Sequence, residues 1–258
     1  MRRLRKAFPA GSGERRGYYL LGLDFDGTLS PIARRPGLAK LPFRNKALLQ
    51  RLAKLRKVRV AIVTGRALSD IKTKVGLPGL IYVGNHGLEI EDLSGRVWVH
   101  PQARRVAGLM RRLAAELREA LKRFPGAFVE DKGLTLSVHY RALPRYLSPR
   151  PIREIIGELV AGERRRVRIK AGKMVWEIRP HLEWNKGYAM RRLLGEKIGQ
   201  WHPVLVGDDA TDEEGFRSLG PDAITIRVGY KKDSYARFRL KSQRQVSLLL
   251  EYFLREWR

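Results

Sequence analysis

The sequence predicts an α/β protein: a doubly wound, Rossmann-like, mostly parallel sheet core with an inserted α+β cap domain that runs helix-strand-strand twice. Three observations carry this expectation. YYLLGLDFD (18–26), VRVAIVTGR (58–66) and HPVLVGDDATD (202–212) are nearly continuous apolar runs ending in turn-forming or polar residues, the pattern of strands buried on both faces of a parallel sheet. Segments of helical period alternate with them, as parallel connections require. Between residues 101 and 181 that alternation gives way to helices followed by paired strands.

Each element has a local reason. After the first strand, NKALLQRLAKLRK (45–57) repeats its apolar residues at helical spacing, and ALSDIKTKVG (67–76) is a short helix closed by Gly76. LIYVGNHG (80–87) is a strand, and LEIEDLSGRVWVH (88–100) a hairpin turning at Ser94-Gly95. In the insert, GLMRRLAAELREALKRF (108–124) is an amphipathic helix, and FVEDKGLTLSVHY (128–140) is two strands joined at Asp131-Lys132-Gly133. PIREIIGELVAGE (151–163) is a second helix, and VRIKAGKMVWEI (167–178) a strand pair turning near Ala171-Gly172. WNKGYAMRRLLGEKIG (184–199) resumes the first pattern as a helix from near Asn185, with a strand at 203–207 after it. TDEEGFRSLG (211–220) is a short helix, AITIRVG (223–229) the last strand, and VSLLLEYFLREW (246–257) a closing helix. The expected domains are a basic flexible leader (1–17), a core of 18–100 with 182–258, and the cap at 101–181.

Composition narrows the chemistry. The chain has no cysteine among its 258 residues, which excludes disulfides, thiol catalysis and cysteine-held metals. Five histidines without HExxH-type spacing speak against zinc, so any metal is expected to be oxygen-held, which favours magnesium. No apolar run approaches the roughly 20 residues of a spanning helix, and the basic start lacks the apolar stretch of a signal peptide. A cytoplasmic location with no membrane partner is the expectation. Fifty-three basic against 26 acidic residues leave +27, a charge that attracts polyanions by counterion release. The basic residues are scattered without aromatic interleaving, so a solvated surface is expected and no specific nucleic-acid site.

LDFDGTLS (23–30) ends the first strand with two carboxylates and a glycine, one acid more than a turn needs. It has company: DFDGT (24–28), two apolar residues and TGR (62–66), Lys186 before the helix that follows the insert, and GDDATD (207–212) occur in that order. This set resembles the haloacid dehalogenase superfamily of phosphotransferases. The resemblance implies that Asp24 is a nucleophile forming an aspartyl-phosphate. It makes Asp26, two residues on in extended chain, the group that protonates the leaving oxygen and later takes a proton from water. Asp208, with one oxygen of Asp24 and the backbone carbonyl of Asp26, would complete a Mg2+ site, its shell oriented by Asp209 and Asp212. Thr64 would donate to a phosphate oxygen with Gly65 beside it, and Lys186 would neutralise the crowded carboxylates. Plainer readings stand beside these: a turn at Asp26-Gly27, a simple strand end at Thr64-Gly65, a surface lysine at 186, and helix-start roles for Asp208, Asp209 and Asp212.

Within that superfamily, VGNHGLEI (83–90), FVEDKGLTLSVHYR (128–141), GKMVWEIRPHLEWNKG (172–187) and VGDDATDEEGF (206–216) make the chain similar to the trehalose-6-phosphate phosphatases. By matching position, Glu130, Lys132, Lys173 and Glu177 would bind the disaccharide hydroxyls, with a solvated hairpin tip and a cross-strand ion pair as the alternatives. His86 would either face the sugar or be satisfied in its strand-end turn. Arg66 would touch substrate or pair with a carboxylate inside the core. His139 and His181 read as structural, and Asn185 stands where the family often has Asp. No glucosyltransferase region accompanies the motifs, so a separate glucosyltransferase would supply the sugar phosphate. Two other functions fit less well: a phosphatase of sucrose phosphate, mannosylglycerate phosphate or a hexose phosphate, and a basic nucleic-acid-binding protein on a hydrolase scaffold.

Overall fold

The computed structural model describes residues 17–195 and 200–257, so nearly all of the basic leader, residues 1–16, lies outside the described residues. The described residues up to Trp98, together with those from Trp184, form one compact unit, and Val99–Glu183 form another.

The first unit begins with β1 (Tyr18–Leu23), α1 (Phe43–Leu52), β2 (Val58–Val63), α2 (Leu68–Val75) and β3 (Ile81–Gly84), followed by the short strands β4 (Glu89–Glu91) and β5 (Val97–Val99). The second unit holds α3 (Pro101–Ala120), β6 (Phe128–Asp131), β7 (Leu136–His139), α4 (Arg150–Leu159), β8 (Val167–Gly172) and β9 (Val175–Pro180). The chain then returns through α5 (Lys186–Leu194), β10 (Trp201–Gly207), α6 (Ala210–Leu219), β11 (Ile224–Val228), β12 (Phe238–Leu240) and α7 (Val246–Glu256).

The eight strands of the first unit lie in the order β12-β11-β10-β1-β2-β3-β4-β5. Pairing is parallel from β12 to β3 and turns antiparallel between β3 and β4. The near-continuous apolar runs are explained by burial on both faces. Tyr19, Leu21 and Leu23 of β1 join one core with residues of α1, α2 and α7. Leu20 joins the opposite core, with Ala189 and Met190 of α5 and Phe216 and Leu219 of α6. Strand order reverses between β1 and β10, and in such sheets the crevice at that reversal, outside the carboxyl ends, is where ligands bind.

In the second unit the sheet is antiparallel, ordered β6-β7-β9-β8. Leu136 and Val138 of β7 and Trp176 and Ile178 of β9 share a core with the apolar faces of α3 and α4. Among the described residues no helix is long and apolar enough to cross a membrane.

Four expectations need correction. The first strand stops at Leu23 instead of running to Asp26, because the Leu29 and Ser30 N–H groups bond back to the carbonyls of Asp24 and Phe25 and wind residues 24–30 into a turn. The β8–β9 hairpin turns at Lys173-Met174, two residues later than expected: Gly172 still pairs with Val175, and Met174 takes the positive φ of 63°. The insert's first helix starts at Pro101, a residue suited to a first helical turn. A further strand, β12, follows β11; its three residues are too short to show a period.

Candidate active site

The carboxyl ends of β1, β2, β3 and β10 and the start of α5 bring most of the core motif residues together. β1 and β10 run side by side in register, Leu23 opposite Val206, and the Asp24 N–H donates to the Val206 carbonyl at 2.9 Å. Asp24, the first residue past β1, thus falls level with Gly207, the last of β10, which juxtaposes it with the Asp208 loop. α5 starts cleanly because Asn185 caps it, its Oδ1 accepting from the Gly187 and Tyr188 N–H groups and from Ser218 Oγ. That cap serves as well as the Asp often found in its place, since either side chain supplies the acceptor.

Lys186, at the first position of α5, is 2% exposed. Its Nζ donates to Asp24 Oδ1 at 2.7 Å and to Asp212 Oδ1 at 2.8 Å. Burial alone would lower this ammonium, but the Asp212 and Asp24 carboxylates outweigh it and hold the group well above the ordinary lysine range. Asp212 is fully buried, and its other oxygen accepts from the Asp208 and Asp209 N–H groups at 3.0 and 3.1 Å. Asp209 is exposed and caps α6, its Oδ1 accepting from the Thr211 and Asp212 N–H groups. These two acids therefore shape the loop that carries Asp208.

Asp24, Asp208 and Asp212 each offer an oxygen within 4.8 Å of the others. Burial pushes the Asp24 carboxyl up to about 8, against the pull of Lys186 and with the charges of Asp208 and Asp209 adding to the rise. Burial likewise raises Asp208 to about 7, helped by Asp212 and Asp209. Among the described residues the Asp208 carboxylate has no ion pair, and its hydrogen bond from Thr28 Oγ1 is long at 3.4 Å. Three clustered carboxylates against one ammonium leave uncompensated negative charge, and the donors are all oxygen. That set fits a hard divalent cation.

Gly27 is required for the close approach of this loop. Its φ of +86° disfavours any side chain, and a Cβ there would collide with the Asp208 carboxylate. The Asp208 loop is held from behind by Arg227, whose Nη2 donates to the Asp208 carbonyl at 2.6 Å and whose Nη1 bonds Glu213 at 2.8 Å. Sequence reading missed Arg227 and Glu213; a charged residue in the otherwise apolar run AITIRVG is the one signal it offered.

At the end of β2, Thr64 is buried and its Oγ1 accepts from the Arg66 N–H at 3.3 Å. Gly65 lies against the ring of His86, which any Cβ there would strike. Asn85 and His86 both take positive φ, at 48° and 58°, a strained pair at a strand end. Arg66 follows the alternative left open for it: its guanidinium grips the Asp26 carboxylate with two bonds and also reaches Asp70. Asp26 therefore does not lie on a straight continuation of β1; the turn swings its side chain to Arg66.

In the second unit, Glu130, Lys132 and Glu177 fall together. Glu130 of β6 and Glu177 of β9 both stand opposite Ser137 of β7, one on either side. Lys132 Nζ lies 3.7 Å from Glu177 and 4.0 Å from Glu130. Glu130 also bonds His139 at 2.7 Å and Glu177 bonds Arg179, two partners the motif reading had not assigned. Lys173 is exposed in the hairpin turn, and no ion pair links it to this cluster among the described residues.

The sequence matches the family described as Trehalose-phosphatase over residues 22–244. The trehalose-phosphate phosphatase of Mycobacterium marinum is 35% identical over 237 residues, 87% of this chain and 58% of that one. Its counterpart in Mycobacterium tuberculosis is 34% identical over 91% of this chain and 61% of its own length. The chain thus spans about three fifths of the curated relatives it matches. Among solved structures, a trehalose-6-phosphate phosphatase related protein superposes with a TM-score of 0.80 at 28% identity, covering 92% of this chain and 97% of that one. The C-terminal domain of the Candida albicans trehalose-6-phosphate phosphatase gives 0.79 at 25%, covering 92% of each chain. A haloacid dehalogenase-like hydrolase from Bacteroides thetaiotaomicron gives 0.62 at 14%, a likeness of fold alone, over 92% of this chain and 99% of that one.

Proposed function

The chain belongs to the trehalose-phosphatase family, and from that premise we propose that it hydrolyses trehalose 6-phosphate to trehalose and phosphate, with magnesium, through an aspartyl-phosphate on Asp24. The observation that carries the reading is the buried contact of Lys186 with Asp24 and Asp212 beside Asp208. The buried ammonium opposes the rise that burial and the neighbouring acids impose on the nucleophile without cancelling it, and a bound divalent cation would complete its ionisation.

In the first half-reaction an Asp24 oxygen bonds to phosphorus as the bond to the sugar oxygen breaks, and a proton on Asp26 passes to that oxygen. In the second, a water oxygen bonds to phosphorus, the bond to Asp24 breaks, and the water proton returns to Asp26. Thr64 and Gly65 sit at the neighbouring strand end, suited to a phosphoryl oxygen. Asp24, Asp208 and the Asp26 carbonyl would hold Mg2+, with Asp209 and Asp212 acting through the loop geometry. The cation supplies charge neutralisation for the phosphoryl group.

Glu130, Lys132 and Glu177 offer acceptors and a donor suited to sugar hydroxyls, with His139 and Arg179 orienting the two glutamates. Lys173 has weaker support, standing at an exposed turn. The reading extends to a cytoplasmic enzyme acting on a small-molecule sugar phosphate.

Phosphate release from trehalose 6-phosphate, beside sucrose phosphate, mannosylglycerate phosphate and hexose phosphates, tests the reading, with and without magnesium and with Asp24→Asn as control. A strong preference for trehalose 6-phosphate, lost with chelator and in the variant, is expected. A different winning ester overturns the substrate, and no release from any ester overturns the reaction.

A further inference from the structure

Arg66 is 5% exposed, and its guanidinium is bonded on all three nitrogens. Its Nε donates to Asp26 Oδ2 at 2.6 Å and its Nη2 to Asp26 Oδ1 at 2.7 Å, a two-pronged grip on both oxygens. The second Nη2 proton goes to the Pro36 carbonyl at 2.8 Å, and Nη1 donates to Asp70 Oδ2 at 2.7 Å. The guanidinium lies 5.4 Å from the Phe25 ring centroid. Four of the five N–H groups of an arginine are thus committed to protein acceptors drawn from three separate parts of the chain. Asp70 lies in the first turn of α2, so the cation is anchored to a helix on one side while it holds Asp26 on the other. Asp26 is the more accessible partner, its side chain 40% exposed against 6% for Arg66.

We propose that Arg66 is a positioning residue that acts through Asp26: its planar fork fixes both oxygens of the acid–base carboxylate in the ionised form that takes the proton of the attacking water, and it takes no part in holding substrate. This rests on the phosphatase reading above. A residue that bound the phosphate would need its donors turned toward the ligand, whereas these donors are spent on Asp26, Asp70 and Pro36. The two-pronged geometry also explains why arginine is present. Lysine carries the charge but cannot direct two parallel N–H groups at one carboxylate.

The test is a double-mutant cycle on steady-state hydrolysis of trehalose 6-phosphate by Arg66→Met, Asp26→Asn and the double variant, with Arg66→Lys alongside. Misplacing an acid–base group costs about 10^2-fold, so Arg66→Met is expected to lower kcat by about that factor with KM changed by less than about twofold. Asp26→Asn is expected to lower kcat by about 10^2- to 10^4-fold, and the double variant to fall no further than Asp26→Asn alone. Arg66→Lys should recover little, because the fork and not the charge is at issue. Losses that multiply in the double variant overturn the proposal, as does a KM increase at unchanged kcat, which would return Arg66 to the substrate. Should Arg66→Met not fold, the same cycle with Arg66→Lys decides between these outcomes. Wild-type protein that releases no phosphate from any ester sinks the phosphatase reading and this proposal with it, an outcome distinct from a failed cycle.

Discussion

The Lys186 ammonium rests 2.7 Å from Asp24 Oδ1, with both side chains almost fully buried. A buried pair of this kind is dangerous to break, because the surviving charge has no solvent to turn to; removal of one partner typically costs about 3–5 kcal/mol. Lys186→Met is therefore expected to abolish detectable turnover and to destabilise the metal-free protein by about that amount at pH 8. Burial already pushes the carboxyls of Asp24 and Asp212 above their ordinary values, and loss of the cation raises them further. Groups raised in the folded state are tolerated when protonated and cost stability as pH rises, so the loss should shrink at pH 5. Urea denaturation at the two pH values checks this. Equal losses would mean that Lys186 is not what balances these carboxylates.

The proposed magnesium site should compete with protons. In the metal-free protein Asp24 sits up at about 8 and Asp208 at about 7, each mainly through burial. Both lie above the roughly 3.9 of an unfolded Asp, so the folded state binds more protons across that interval and metal-free stability contributed by these groups falls as pH rises from about 4 to 8. A cation displaces those protons, so its apparent affinity should rise with pH, by at most about tenfold per pH unit for each proton released. Calorimetric titration with magnesium at pH 6 and pH 8 reads this directly. An affinity independent of pH would show that the carboxyls are already ionised without metal.

Gly27→Ala separates backbone strain from damage to the site. A non-glycine residue in the left-handed region costs about 1–2 kcal/mol. Gly95, at φ +80° with nothing within 4 Å of a Cβ, meets that cost alone; Gly27, at φ +86°, adds the collision with Asp208. Both alanine variants should lose stability in chemical denaturation, but only Gly27→Ala should also lose magnesium affinity. Unchanged affinity would mean that Asp208 can shift without consequence.

The sheet and its motif residues were legible because burial on both faces leaves an unbroken apolar run, and a parallel sheet stops each run at a common edge. Asp24, Thr64 and Asp208 could be gathered at that edge from the ends of their runs, and Lys186 from its place at a helix start. Asp26 could not be placed, because hydrogen bonds back to Asp24 and Phe25 turn the chain just where an extended continuation was expected. The partners at the site were equally hidden. The Arg66–Asp26 contact spans 40 residues and the Arg227–Asp208 contact 19, and neither leaves a local pattern. In the insert, alternation placed Glu130 and Glu177 on strands, but a two-residue shift of the hairpin turn decided that Lys173 would not join them.

Arg227 supplies a test of the loop that carries Asp208. Its Nη2 holds the Asp208 carbonyl at 2.6 Å while Glu213, itself 4% exposed, anchors its Nη1. Arg227→Met removes the clamp without altering a carboxylate of the proposed magnesium site, although it also takes a partner from the buried Glu213. Magnesium affinity, read as the cation-dependent rise in melting temperature, should fall by about tenfold, the equivalent of the roughly 1.4 kcal/mol expected for one hydrogen bond. A uniform drop in melting temperature with an unchanged magnesium increment would assign Arg227 to stability alone.

Sugar selection should follow the second unit's cluster. Glu130 is oriented by His139, and Glu177 by Arg179 and Lys132, so each glutamate is held as an acceptor before any ligand arrives. A hydrogen bond to a charged group contributes about 1.5–3 kcal/mol, which corresponds to roughly 10- to 100-fold in affinity. Glu130→Gln and Glu177→Gln keep the side-chain shape and remove the charge, and each should raise KM for trehalose 6-phosphate within that range. Hydrolysis of a hexose phosphate, which lacks the second ring, should change by less than about threefold, since fewer hydroxyls are there to be lost. Lys173→Ala, at an exposed turn outside the cluster, serves as the comparison and should leave both substrates near wild type. Steady-state kinetics on the two esters decide it. If both esters suffer equally, the glutamates support the unit's fold and do not read the sugar; if Lys173→Ala alone discriminates, selection resides in the turn and the cluster is structural.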